Sequence, residues 1–171
     1  KIHLIESIDD VSELAIAADR TLAYVTQTTL SVDETLDIIT ELKKYYPDIV
    51  EPRKDDICYA TQNRQDAIKT LAEETDLILV VGSPNSSNSN RLKELSEKLG
   101  TTAYLINDAS DINQDWLQDI RKIGISAGAS APETLVRQVV SLLEESGAHC
   151  INKEESFNEN VVFSLPRSLR D

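Results

Sequence analysis

The sequence predicts an α/β fold in which strand, loop and helix recur along the chain and helices flank mostly parallel sheets. Apolar runs of strand length alternate with segments whose apolar residues recur at helical spacing. This alternation is typical of parallel sheets, because the chain crosses back through a helix before the next strand. The 171 residues, 40% of them hydrophobic, suffice for one ordinary domain or two small ones.

The individual elements follow from apolar periodicity and from residues that start or stop helices. Strands are expected at residues 1–7, 22–27, 49–50, 76–81, 103–106, 123–126 and 161–163. Helices are expected at residues 8–14, from a Ser31/Glu34 capping box to Pro47, after Cys58, from Ser89 or Asn90 to Leu99, at 113–120 and from Pro132 onward. Residues 51–56 form a charged connector with a proline, which indicates a boundary between units 1–55 and 56–171.

Three polar loops stand where a strand gives way to a helix, at residues 26–29, 86–88 and 129–130. Each offers hydroxyl or amide groups beside a helix N-terminus, which can bind phosphate oxygens. The alternative is that these residues only cap helices. Seven of the eight residues from Ser83 to Asn90 are Ser or Asn, which is more than a cap requires. A phosphate-bearing ligand is therefore expected, although no P-loop or G-x-G-x-x-G motif is present.

The formal net charge of -13 argues against a nucleic-acid or anionic-membrane partner, because either needs a cationic surface. No apolar run approaches the length of a spanning helix, and we expect a cytoplasmic protein. The chain starts at Lys1 and contains no Met, so we expect it to be a piece of a longer protein.

The two cysteines, Cys58 and Cys150, lie far apart, so neither a disulfide framework nor a zinc knuckle is indicated. Cys58 is expected at a helix N-terminus, which suits a nucleophilic or metal-binding thiolate. The alternative is a small buried apolar side chain. No histidine is placed to serve as its base, which favours a metal thiolate over a Cys-His hydrolase.

Four motifs, in order along the chain, resemble the LytB/IspH family of 4-hydroxy-3-methylbut-2-enyl diphosphate reductases. They read TQTTLS from Thr26, CYATQNRQ from Cys58, VVGSPNSSNSNRL from Val80 and AGASAPE from Ala127. The resemblance covers the whole chain but only the C-terminal half of the family's usual length. It implies a three-lobed, trefoil-like architecture, in which residues 1–55 end the middle lobe and residues 56–171 form the third lobe and tail.

The resemblance implies the last step of the non-mevalonate isoprenoid pathway, with ferredoxin or flavodoxin as electron donor. The family holds a [4Fe–4S] cluster by three cysteines, and Cys58 matches the third. Thr28 matches a residue near the substrate hydroxyl that assists proton delivery. The implied contacts to the substrate, an allylic diphosphate, are Thr28, Ser86, Ser87, Asn88 and Ser130.

The family's other two cluster cysteines, its substrate-binding histidines and its proton-donating glutamate would all lie upstream of Lys1. Cys150 matches no ligand position. We therefore expect the isolated chain to lack the cluster, to be inactive and to bind diphosphate weakly. A non-catalytic α/β module that binds a phosphorylated small molecule through its Ser/Asn loops is the alternative. A phosphosugar isomerase-like domain is a further one, but the chain shows no convincing acid or base for it.

Overall fold

A computed structural model describes residues 1–17, 20–52 and 56–151. Within these ranges, helices flank a three-stranded parallel sheet, which confirms the predicted fold class. The helices are α1 (Ile8–Glu13), α2 (Val32–Tyr45), α3 (Tyr59–Glu74), α4 (Ser87–Lys98) and α5 (Glu133–Glu145). The strands are β1 (Leu77–Val81), β2 (Thr102–Ile106) and β3 (Ile123–Ala127), and two short 3₁₀ helices, Ala109–Asp111 and Gln114–Leu117, connect β2 to β3.

The sheet has the strand order β2-β1-β3, with β1 in the centre. Leu77 at the start of β1 is in register with Thr102 of β2 and with Ile123 of β3. All five residues of β1 are buried, because each face of the sheet carries a layer of helices. This double burial explains why the strand reads as an unbroken apolar run.

Alternate residues of β1 enter two separate hydrophobic cores, as the pleat of a strand requires. Ile78 and Val80 pack with Ile68 of α3 and Leu92 of α4. On the opposite face, Leu79 packs in the core that α5 and the 3₁₀ segment cover. The chain therefore builds one helical layer on each side of a short sheet.

The segment between β2 and β3 carries the ring of Trp116, which stacks on Tyr104 with a centroid distance of 3.7 Å and an interplanar angle of 7°. The helix predicted over 113–120 is only the 3₁₀ helix Gln114–Leu117. It ends early because Gln118 is extended and Asp119 adopts a φ of 62°, which is incompatible with a right-handed helix.

The strands predicted in the first 52 residues were largely wrong. Residues 1–6 form no strand, and Ile2 is 96% exposed. The segments 22–27 and 49–50 contribute a single parallel bridge between Ala23 and Val50. Apolar alternation alone does not make a strand, because a strand also needs a neighbour to complete its hydrogen bonds. The helix α1 is present as expected and docks on α2 through the buried Val11.

Two helix starts differ from expectation. Ser31 caps α2, since its Oγ accepts the N–H of Glu34, but the Glu34 side chain turns away to Arg91 and Lys98 and leaves the capping box half formed. The helix α4 begins at Ser87, two residues before the earliest predicted start. The strand predicted at 161–163 lies outside the described residues. Among the described helices, none is both long and apolar enough to cross a lipid bilayer.

Candidate functional site

The strand order puts the topological switch point of the sheet at the carboxyl ends of β1 and β3. After β1 the chain adds β2 on one side and then β3 on the other, and ligands of open α/β sheets bind where the order reverses in this way. The N–H of Gly82 donates to Ile106 O at 2.8 Å, and the N–H of Gly128 donates to Val81 O at 2.9 Å. These bonds hold the three strand ends level, so the loops after β1 and β3 start side by side.

The first turn of α4 presents open hydrogen-bond donors. Ser86 is the N-cap: its Oγ accepts the N–H of Ser89 at 3.3 Å and its carbonyl accepts the N–H of Asn90 at 3.0 Å. Within the described part of the chain, no group accepts a hydrogen bond from the N–H of Ser87 or Asn88. Free N–H groups at the positive end of a helix dipole attract anions.

The side chain of Asn88 is the clearest sign of a ligand in this turn. It is only 5% exposed, yet neither its Oδ1 nor its Nδ2 has a hydrogen-bond partner among the described residues. Leaving a buried polar group unpaired costs about 1–3 kcal/mol, so such groups mark places where a water, an ion or a ligand completes the bonding. The amide Nδ2 can donate to an anion bound at the helix start.

Ser89 fills the space between the ends of the two strands. Its Oγ lies 3.0 Å from the Oγ of Ser86. A methyl group at Gly82 or at Gly128 would overlap the Ser89 side chain, so both positions require glycine. Sequence analysis missed this role for Ser89 and for the two glycines. The signal available was a glycine directly after each of the two strands.

Ser87 and Ser130 complete the predicted anion-binding residues. Both side chains are exposed. Ser130 follows Gly128 in a loop closed by the bond from Ala131 N–H to Gly128 O, at 2.9 Å. Two of the three predicted loops therefore meet at one edge of the sheet.

Thr28 and Cys58 form a second group. Cys58 is the N-cap of α3, and its thiol is exposed and takes no part in capping. The N–H of Cys58 donates to Thr28 O at 3.0 Å, which places the two residues in direct contact. The alternative interpretation of Cys58 as a buried apolar side chain is wrong.

The loop that carries Thr28 is fixed to the start of α3 at further points. Asp56 Oδ2 accepts the N–H of Thr26 at 2.7 Å. Gln65, which is 2% exposed, donates from Nε2 to Leu30 O at 2.8 Å and accepts the N–H of Val32 at Oε1, at 3.1 Å. The position of Thr28 relative to Cys58 is thus set by backbone contacts on both sides of it.

Two cationic side chains of α4, Arg91 and Lys98, are already paired. Glu34 of α2 contacts Arg91 at 3.4 Å and Lys98 at 3.1 Å, and Arg91 also contacts Glu94 at 2.9 Å. These side chains line a cavity of about 310 Å³ between α2 and α4. The side chains of the first turn of α4, residues 87–90, are all neutral. That an anion binds to this turn stays a prediction.

The described residues can supply one thiolate ligand of an iron–sulfur cluster, but not a complete set of ligands. They contain no group of three or more His, Cys, Asp or Glu side chains arranged to hold a metal ion. The exposed thiol of Cys58 at the start of α3 suits a single thiolate ligand. Cys150 is also exposed, but it lies in the segment after α5 and matches no ligand position of the family.

Curated relatives named 4-hydroxy-3-methylbut-2-enyl diphosphate reductase match almost the whole chain. Those of Acinetobacter baumannii and Aliivibrio fischeri are 54% and 53% identical over 169 residues. Each alignment covers 99% of this chain and 54% of the relative. The chain therefore spans about half the length of the curated relatives it matches.

Solved structures show the same similarity. The E-1-hydroxy-2-methyl-but-2-enyl-4-diphosphate reductase of Plasmodium falciparum is 39% identical, with a TM-score of 0.78 over 82% of this chain and 44% of that one. A second structure, of (E)-4-hydroxy-3-methyl-but-2-enyl diphosphate reductase, is 31% identical, with a TM-score of 0.51 over 82% of this chain and 49% of that one. The family model described as LytB protein matches residues 1–144. The four sequence motifs agree with this match, and the chain belongs to the LytB protein family.

Proposed function

We propose that this chain forms part of a 4-hydroxy-3-methylbut-2-enyl diphosphate reductase, to which it contributes diphosphate-binding loops and one ligand of a [4Fe–4S] cluster. In this reaction one allylic C–O bond breaks, two electrons and two protons enter, and one water leaves. The products are isopentenyl and dimethylallyl diphosphates. The names of the relatives support the substrate class, and the buried, unpartnered amide of Asn88 is the observation in this chain that carries the proposal.

The diphosphate would bind at the start of α4. The N–H groups of Ser87 and Asn88 and the amide of Asn88 are open to an anion, and the exposed hydroxyl of Ser130 lies in the neighbouring loop. Ser86 and Ser87 add hydroxyl donors on the same turn. All of these groups are neutral, so they orient the phosphates by hydrogen bonding while cationic partners come from the rest of the enzyme.

Thr28 and Cys58 would act at the reacting end of the substrate. The cluster, when bound, supplies the electrons and a Lewis-acidic iron for the departing hydroxyl. Cys58 would hold one corner of that cluster through its exposed thiol. Thr28 accepts the Cys58 N–H through its carbonyl, and this proximity supports the proposal that it would hydrogen-bond the substrate hydroxyl and assist proton delivery there.

The remaining assignments rest on the family resemblance. Ferredoxin or flavodoxin would deliver the electrons, and the cytoplasm would be the compartment. We further propose that the chain alone neither assembles the cluster nor turns over substrate, because the described residues offer only one suitable thiolate. The experiments use the full-length protein, which is this chain joined to the other half of a reductase of the family's usual length.

The cluster assignment is tested by exchanging each cysteine of this chain in the full-length protein. After anaerobic reconstitution, Cys58→Ser should lower the iron content and abolish reductase activity, because serine is a poor ligand for this iron. Cys150→Ser, the matched control at the other exposed cysteine, should change neither. Iron analysis and visible absorption are the measurements. A full cluster in the Cys58→Ser protein would contradict the proposed role of Cys58. A wild-type protein that takes up no cluster would favour a non-catalytic phosphate-binding module.

The role of Asn88 has its own signature in the same protein. Asn88→Ala removes an amide that has no partner among the described residues, so the thermal midpoint without ligand should stay the same or rise. The affinity for inorganic diphosphate should fall by about tenfold, which is the worth of one hydrogen bond to a charged group. A variant that loses stability while it keeps its diphosphate affinity would show that Asn88 serves only the fold.

A further inference from the structure

Two serine hydroxyls meet at the start of α4, and the fold determines which of them donates. Ser89 is fully buried, between the strand-end residues Gly82 and Gly128. Its Oγ lies 3.0 Å from Ser86 Oγ. Among the described residues, that oxygen is the only hydrogen-bond acceptor available to the Ser89 hydroxyl. Ser86 itself is only half-buried.

If Ser86 donated to Ser89, the buried hydroxyl proton of Ser89 would be left without an acceptor, which is unfavourable inside a protein. If Ser89 donates, its proton is satisfied and the Ser86 proton is free to reach out of the fold. Ser86 Oγ also accepts the backbone N–H of Ser89, at 3.3 Å. Both lone pairs of Ser86 Oγ are then occupied, so this hydroxyl can no longer accept a hydrogen bond.

We propose that Ser89 is a positioning residue, which makes Ser86 an obligate hydrogen-bond donor to a phosphate oxygen of the bound diphosphate. The identity of the ligand rests on the function proposed above. The two hydroxyls form a relay from Ser89 through Ser86 to the ligand. Donors arranged in such a chain polarise one another, so the outward hydroxyl of Ser86 is a stronger donor than an isolated serine.

The relay also selects among ligands. The oxygens of a fully ionised phosphate accept hydrogen bonds and donate none, which matches a hydroxyl that can only donate. A ligand hydroxyl or a protonated phosphate oxygen can also accept from Ser86, but its own proton would find no acceptor there. The chemical class favoured at this position is therefore an ionised phosphate group, bound without any cationic side chain of the α4 turn.

Ser89→Ala in the full-length protein tests the relay. The Ser86 hydroxyl would then be free to rotate and to bond elsewhere, so we expect the dissociation constant of inorganic diphosphate to rise about three- to tenfold. The KM for the substrate should rise by the same factor while kcat changes less, because the reacting end of the substrate is untouched. Calorimetry and steady-state kinetics are the measurements.

Ser96→Ala is the matched control. Ser96 is the other fully buried serine of α4, but its Oγ donates to Leu92 O at 2.8 Å, two turns further along the helix. Both variants lose one buried hydroxyl from the same helix, so their thermal midpoints should fall by similar amounts. Only Ser89→Ala should weaken diphosphate binding. Equal dissociation constants for the two variants would overturn the relay.

A double variant separates the relay from a structural effect. In a Ser86→Ala background, Ser89 no longer has a hydroxyl through which to act on the ligand. Adding Ser89→Ala should therefore leave the diphosphate dissociation constant unchanged. An effect of Ser89→Ala that persists undiminished without Ser86 would refute the proposal, as would wild-type protein that does not bind inorganic diphosphate. Wild-type protein that binds diphosphate with this non-additivity but cannot reduce the substrate would refute the proposed function and leave the relay standing.

Discussion

At the scale of single residues, the space beside Ser89 explains why glycine follows both β1 and β3. A methyl group added at Gly128 would overlap Ser89 Oγ, so Gly128→Ala should lower the free energy of unfolding by about 1–3 kcal/mol. Adding Ser89→Ala should recover most of that loss, because the nearest remaining Ser89 atom, Cβ, lies 3.4 Å from the new methyl. Urea unfolding of the single and double variants measures this coupling.

Gly82 provides the matched comparison. A methyl group there would lie 2.7 Å from Ser89 Cβ, which is present in alanine as well. Ser89→Ala should therefore rescue Gly128→Ala but not Gly82→Ala. The same rescue at both glycines would mean that the loops after the strands shift freely and that Ser89 does not set their spacing.

At the scale of elements, Asp76 joins the starts of two neighbouring strands. Its Oδ2 accepts the N–H groups of Lys122, at 2.9 Å, and Arg121, at 3.0 Å, just before β3. These two bonds, that of Lys122 first, hold the pKa of Asp76 below its ordinary value of 3.8. Because the folded pKa is the lower one, the stabilisation is complete above pH 3.8 and is lost as the pH falls through the folded pKa.

The expected result is a pH-dependent difference between wild-type protein and Asp76→Asn. Above pH 3.8 the wild type should have the higher thermal midpoint, and the difference should shrink as the pH falls further. Asp37→Asn, at an exposed position on α2, is the control. A gap between wild type and Asp76→Asn that stays constant through the acid range would contradict this origin of the stabilisation.

At the scale of the whole molecule, Gln65 connects the start of α2 to α3, the helix whose N-cap is Cys58. Gln65→Leu would leave Leu30 O and the N–H of Val32 without their partner, at a cost of about 1–3 kcal/mol in the free energy of unfolding. It should also speed hydrogen exchange of the Cys58 amide, because the Thr28 loop loses a neighbouring anchor.

The control is Thr101→Val, which removes a bond at the end of α3 opposite to Cys58, from Thr101 Oγ1 to Ala72 O at 3.0 Å. It should lower stability without changing the exchange rate of the Cys58 amide relative to global unfolding. If both variants speed the exchange of that amide equally, Gln65 acts only on overall stability.

The division of the chain into units 1–55 and 56–171 stays a prediction.

Local patterns were enough to predict the features that depend on neighbours in sequence. The apolar run of β1 was found because both of its faces are buried, and the position of Cys58 because it directly precedes a periodic helix. The loop of Ser86, Ser87 and Asn88 was found because it holds more hydroxyl and amide groups than a cap needs. Whether these residues bind diphosphate stays a prediction.

Features that depend on contacts between distant segments could not be predicted in this way. The early strands were wrong because alternation does not show whether a pairing partner exists. Within residues 1–17 and 20–52, a single bridge forms, between Ala23 and Val50. The strand order β2-β1-β3 brings the loops of Ser86 and Gly128 together, and no local pattern encodes that order. The role of Ser89 follows from this meeting, so it became visible only in three dimensions.

The stacked pair of Tyr104 and Trp116 gives this protein a built-in optical probe. Trp116 is the only tryptophan of this chain, so the indole fluorescence of the chain by itself has a single source. The pair lies on the α5 face of the sheet, opposite the layer that contains α3 and α4. A substitution at the phosphate loops that leaves the emission spectrum unchanged has spared this packing. One photophysical signal can thus separate a damaged binding site from a damaged fold.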